Sequence, residues 1–199
     1  MIDSSTRNVQ IIATAFHEAG HVVAALQVGC NIRGMSVSFD RPGDGLTIRD
    51  KPKMSNPIHP GSTPESALSA WNYALENIQK EMKIFLAGPI AEAKFLGGDP
   101  LRLRGADQDR FNCQRLSNRL NTLNEFYRGF YPIPRVQGHK VLNQVRVSTS
   151  KWIDSPKIWT AIMTIGVKAA RVGALDSSEI RYLIGKADGT GHQRSMNLL

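Results

Sequence analysis

Cysteine is nearly missing from this chain, with Cys30 and Cys113 the only two thiols in 199 residues. They lie far apart and neither belongs to a C-x-x-C pair. A disulfide framework is therefore excluded, both read as packing residues rather than ligands, and a reduced, cytoplasmic setting is the default. No stretch approaches the ~18 consecutive apolar residues of a membrane helix, and the opening MIDSSTRNVQ is polar, so neither a membrane span nor a signal peptide is expected. A G-x-x-x-x-G-K-[ST] phosphate loop is missing, as are internal repeats and low-complexity tracts. What is there, 199 residues of which 41% are hydrophobic, suffices for one globular domain over 1–199.

Acidic side chains are the scarcer charge, 17 against 25 Lys and Arg, for a net +8. The excess gathers between Arg102 and Arg135, through Arg104, Arg110, Arg115, Arg119 and Arg128, and Arg115 and Arg119 share a helix face. No helix-turn-helix signature, RNP motif or zinc-finger spacing accompanies it, and aromatics are few before Phe126. The stretch reads as a solvated basic face suited to acidic partners, and nucleic acid is not an expected partner.

The stretch ATAFHEAGHVVAALQVGC, Ala13 to Cys30, lacks proline, and Ile12, Phe16, Ala19, Val23 and Leu26 recur at helical spacing. This predicts an amphipathic helix packed on a core. MSVSF and LTIR alternate around the turn signal RPGDG, predicting a β-hairpin from about Gly34 to Arg49. KPKMSNPIHPGSTPE, rich in proline, must be irregular. Thr63 then caps a helix with Pro64 at its first position and an apolar stripe at Leu68, Trp71, Leu75, Ile78, Met82 and Phe85. Gly88-Pro89 kinks or restarts that helix before a glycine stop. Further helices are predicted after DPLRLRGADQD, near Lys140 to Ser150, from Ser155 to Val172, and after a cap at Asp176 or Ser177, with 188–199 as a frayed tail. The fold class is mainly α with a small hairpin or sheet.

Within the first helix, His17 and His21 are four apart and lie on one face, with Glu18 beside them. H-E-x-x-H suits a tetrahedral zinc ion held by two imidazoles, with the glutamate able to reach a metal-bound water. The small residues Ala19 and Gly20 are read as leaving room above the helix for a ligand. Two hydrogen-bonded core histidines and a solvated Glu18 would produce the same three letters. A third ligand has to come from elsewhere, and His59, His139, His192, Glu92, Asp107 and Asp109 all qualify by residue type.

The order of the pieces is more specific. HEAGH, a hairpin, a long helix ending LAGPIAEAKFLGG, then GADQDRFNCQRL and finally GALDSSEIRYLI together resemble the peptidase domain of the FtsH-type ATP-dependent zinc proteases. That family reads HEAGH, a hairpin, G-G-R-x-A-E-E, G-A-S-N-D-L and L-D-G-E-E-I. The resemblance implies a zincin-like helical fold, Zn2+ on His17, His21 and Asp109, and Glu18 as general base. It implies a carboxylate near the histidines at Glu92. It also implies a zinc endopeptidase acting on flexible or unfolded polypeptides, which such enzymes hold against a strand edge, here Gly34–Phe39 or Leu46–Arg49. Pro89 stands where the family has Arg, Ala93 where it has a second Glu, and Arg110 where it has Leu. The family's ATPase module has no counterpart in these residues, so a stand-alone peptidase, a homo-oligomer or a separately encoded ATPase partner is expected. The other readings are a catalytically silent zinc-binding interaction protein and, less favoured, a basic nucleic-acid-associated factor.

Overall fold

The computed structural model describes residues 4–50, 62–98 and 106–187. Along these the order is α1 (Ser4–Gln27), β1 (Ile32–Val37), β2 (Gly45–Arg49), α2 (Pro64–Leu96), α3 (Asp107–Phe130), α4 (Gly138–Ile153), α5 (Pro156–Val172), β3 (Ala174–Asp176) and α6 (Ser177–Ala187). The mainly helical class with a small sheet is the one expected from the sequence. The proline-rich segment at 51–61, with His59, the loop at 99–105, with Arg102 and Arg104, and the tail at 188–199, with His192, lie outside the described residues.

Helix α1, expected as an amphipathic helix packed on a core, is the centre of the molecule. Every residue from Ala13 to Ala25 is buried, because α2, α5 and the sheet pack around it. Its polar face, Gln10, Thr14, His17, Glu18 and His21, turns to a cleft rather than to open solvent. Against expectation, its Ser5–Gln27 stretch is long and apolar enough to cross a membrane by length and composition, but 72% of that window is buried inside the fold. The small residues of HEAGH serve packing rather than leaving room for a ligand. A Cβ on Gly20 would lie 2.5 Å from the Ala87 carbonyl oxygen and 2.9 Å from the Ala91 Cβ, so the α1 and α2 backbones approach directly there.

Helix α2 starts where its cap demands. Thr63 is extended, its Oγ1 accepts from the Ser66 N–H at 3.3 Å, and Pro64 follows. It runs unbroken through Gly88-Pro89 to Gly97, whose φ of 67° is the left-handed conformation of a glycine stop. Of the kink or restart expected at Gly88-Pro89, the restart does not occur. Its first half buries Trp71, Ile78 and Met82 against α3 and α4, while Leu68 stays 42% exposed. Its second half buries Ile84, Ala87, Ile90 and Ala91 against α1.

The sheet is antiparallel in the order β2-β1-β3, with Met35 opposite Thr47 on one side and Leu175 on the other. β3 was not foreseen, and it corrects the choice of edges. β1 is central, so Gly34–Phe39 offers no free edge. Among the described residues, β2 keeps its outer side unpaired. The Val37 N–H donates to Gly173 O on the β3 side, and the Ser38 N–H donates to Asp44 O on the β2 side. Antiparallel alternation then turns the backbone groups of Gly45 and Thr47 outward. Asp176 caps α6 by accepting from the Ser178 and Glu179 N–H groups, and Glu179 accepts from Asp176 N–H in return, a capping box.

Candidate metal centre

Three elements meet around His17 and His21. Helix α1 supplies the two imidazoles, which face edge to plane with ring centroids 4.7 Å apart. The first turn of α3 supplies Asp109, whose Oδ2 is 3.0 Å from His17 Nε2 and 3.3 Å from His21 Nε2. Helix α2 supplies the outer partners. Glu92 Oε2 is 2.7 Å from His17 Nδ1, and the Ile84 carbonyl accepts from His21 Nδ1 at 2.7 Å. Among the described residues, His17, His21 and Asp109 form the one group of three ligand-type side chains whose donor atoms lie within 4.8 Å of each other. All three are buried.

The donor chemistry fits a cation. A carbonyl only accepts, so His21 carries its proton on Nδ1. Its Nε2 lone pair then faces a carboxylate oxygen, and two acceptors aimed at one another require a proton or a metal between them. The same demand appears in the titration of His17. Burial alone would lower its pKa, but the hydrogen bonds it donates to Asp109 and Glu92 and the fields of Glu18 and Asp109 override this and raise it to about 10. Burial likewise pushes Asp109 up, and the hydrogen bonds and positive fields of His17 and His21 outweigh it, lowering it to about 2. Two imidazole nitrogens and one carboxylate oxygen, each imidazole oriented through its other nitrogen, is a donor set that zinc accepts.

Glu18 lies under β2. Its Oε2 accepts from Thr47 Oγ1 at 2.7 Å. The strand runs so close that a Cβ on Gly45 would sit 2.6 Å from Glu18 Oε1. Gly88 performs a similar service on α2, where a Cβ would lie 2.5 Å from His21 Nε2 and 2.8 Å from His17 Cδ2. A cleft of about 730 Å³ opens along this region, bordered by His17, Glu18, His21, Asp109, Gly45 and Thr47. From the far end of β2, Arg49 reaches α2 and pairs with Glu81 at 2.6 Å, both side chains nearly buried.

Of the four third-ligand candidates among the described residues, Glu92, Asp107, Asp109 and His139, Asp109 is the one the fold brings to both histidines, and Glu92 meets His17 from behind. Asp107, two residues before Asp109, points outward to Arg110. His139 lies exposed on α4. Sequence reasoning missed Thr47, Gly45 and Gly88. In the sequence the glycines read as turn and kink signals, and a glycine inside an otherwise helical run is the available hint for Gly88. Thr47 gave no signal, because only strand pairing brings it over Glu18.

Residues 2–85 match the family model described as Peptidase M50B-like. This supports a metallopeptidase-type domain; the matched family is not the FtsH family. The matched span contains His17, Glu18, His21 and Thr47 and ends before Glu92 and Asp109, so the last two rest on geometry. No curated protein matches the chain.

Proposed function

We propose that the chain is a zinc-dependent endopeptidase with an FtsH-like arrangement of its site, hydrolysing peptide bonds in flexible or unfolded polypeptides. The observation that carries this reading is the convergence of His17, His21 and Asp109 within one buried cluster, with Glu18 one residue from the first ligand and facing the same cleft. These three side chains would hold the ion, with Glu92 and the Ile84 carbonyl fixing the imidazoles. The chemistry such an ion supplies when bound is polarisation of a carbonyl and acidification of water. Glu18 takes the proton from the attacking water and returns it to the leaving amine, with Oε1 left for this task while Oε2 accepts from Thr47. The open side of β2, with outward groups on Gly45 and Thr47, is the edge along which an extended substrate pairs. Strand pairing needs an unfolded segment, and opening a stable domain costs ~5–15 kcal/mol, more than one such contact supplies.

The test combines metal analysis with digestion of casein. We expect about one zinc per chain, digestion abolished by a chelator and restored by zinc, and no stimulation by ATP. Glu18→Gln should keep the zinc and lose ~10²–10⁴-fold in turnover. Digestion unaffected by the chelator, or near-parental turnover in Glu18→Gln, would overturn the reading.

A further inference from the structure

Strand β2 is fixed at both ends and touches Glu18 in the middle. At the hairpin, the Arg7 guanidinium donates to Phe39 O at 2.9 Å, tying the turn to α1. At the other end, Arg49 pairs with Glu81 of α2 through two hydrogen bonds, at 2.6 Å and 3.3 Å. Between them Thr47 presents its hydroxyl to two acceptors of one residue, Glu18 Oε2 at 2.7 Å and Glu18 O at 3.3 Å. A hydroxyl has one proton to give, and the nearer, charged oxygen takes it. A glutamate side chain has three rotatable bonds, and this hydrogen bond, with the strand passing over at Gly45, removes that freedom. The backbone of the same residue faces outward along the open edge, as the pairing of β1 with β2 and β3 requires.

We propose that Thr47 is a positioning residue for the general base: its hydroxyl holds the Glu18 carboxylate in the orientation from which Oε1 reaches the proton of the attacking water, while its backbone belongs to the edge that receives the substrate. This rests on the endopeptidase reading of the site. The base and the substrate strand are thereby set by one residue, so their relative placement does not depend on the long-range packing of α1 against α2. A threonine suits the position because its β-branch favours a strand and fixes the hydroxyl.

The variant that isolates the hydroxyl is Thr47→Val, which keeps the β-branched shape and the backbone. We expect zinc content unchanged, kcat lower by about tenfold to a hundredfold, as for the loss of a hydrogen bond to a charged group, and KM for a flexible peptide within about twofold. Thr47→Ser restores most of the turnover. A second readout does not require catalysis. The carboxylate stretching band of Glu18, obtained as the infrared difference between the chain and Glu18→Gln, should shift when the same difference is taken in the Thr47→Val background. Turnover of Thr47→Val within twofold of the parent, a serine variant as impaired as the valine one, or an unmoved band would each overturn the proposal. If the parent digests nothing, the endopeptidase reading fails and the role of Thr47 in a reaction fails with it. The infrared shift would then still report the hydrogen bond, which separates the two failures.

Discussion

The two halves of the core are built from different residues. Around α1 the buried set is rich in small side chains, Ala15, Ala19, Ala24, Ala25, Ala87, Ala91 and Ala169, with Gly20 at the closest approach. Between α2, α3 and α4 it consists of Trp71, Ile78, Met82, Leu116, Leu120, Tyr127, Ile133, Val141 and Val145. Alanine has no rotamers to lose, so helices in contact through it are located by backbone against backbone. Bulky side chains hold helices further apart and can repack when one of them changes. The candidate metal centre lies on the small-residue side, where His17 and His21 must find partners on α2 and α3 within about 3 Å. The large-residue cluster holds the remainder of α3 against α2 and α4.

The sharpest way to break this contrast is one methyl group on the site side. Gly88→Ala puts a Cβ 2.5 Å from His21 Nε2 and 2.8 Å from His17 Cδ2, and the helix backbone behind it cannot retreat. One imidazole must swing out, so zinc content should fall from about one per chain to near zero, and hydrolysis with it. Far-UV circular dichroism should stay helical. Full zinc content in this variant would show that the imidazoles have slack the packing does not suggest.

The matching change in the other cluster is Leu120→Ala, at a side chain with no exposure. Removing it should cost about 2–5 kcal/mol in a denaturant titration while leaving zinc content intact in the folded protein. Loss of zinc at a denaturant concentration where the chain is still folded would mean that the two clusters are not separable.

How much of this division could be read in advance follows the range of the interactions. The HEAGH helix, the hairpin, the Thr63-Pro64 start and the stops at Gly97 and Gly173 were legible because each is fixed by spacing or by a local φ requirement. β3 was not, since three residues, Ala174–Asp176, are too short to show alternation and exist as a strand only through pairing with β1. The depth at which α1 is buried was missed for a related reason: its alanines count as weakly apolar in a periodicity argument, yet they sit in the core against α2 and α5. The partners of His17 come from residues 75 and 92 positions away, a distance that local pattern cannot bridge. The family resemblance pointed to them, and the fold supplies the distances.

The titration of the site separates metal-free from zinc-loaded protein by a smaller effect. In chelator-treated chain, His17 is raised to about 10, so its favourable pairing with Asp109 and Glu92 is complete below the unfolded value near 6.5 and is lost as pH rises through about 10. Asp109 is lowered to about 2, so its contribution is complete above the usual carboxylate value and is lost as pH falls through about 2. Thermal stability of the metal-free chain should therefore be flat between about pH 4 and 6.5 and decline on both sides. Zinc requires a neutral His17, so the alkaline decline should vanish on loading, and binding at neutral pH should release a proton to the buffer. Calorimetry in buffers of different ionisation enthalpy checks this, and zinc binding with no proton release would contradict it.

The smallest expected effect lies at the start of α3, where two aspartates two residues apart have different surroundings. Ala106 makes no side-chain cap, so the first turn relies on Asp107 and Asp109 to complement its dipole. Asp109 is turned inward to the histidines, whereas the Asp107 side chain is 80% exposed and pairs with Arg110 one turn on. An exposed pair of this kind contributes ~0–1 kcal/mol, and the dipole a similar amount. Asp107→Ala should therefore shift the denaturation midpoint little and leave zinc content and turnover at parental levels. Asp109→Ala, with nearly the same change in sequence, should strip the zinc. If Asp107→Ala strips it instead, the first turn of α3 is rotated from the orientation described here, and the contrast between an inward and an outward aspartate fails with it.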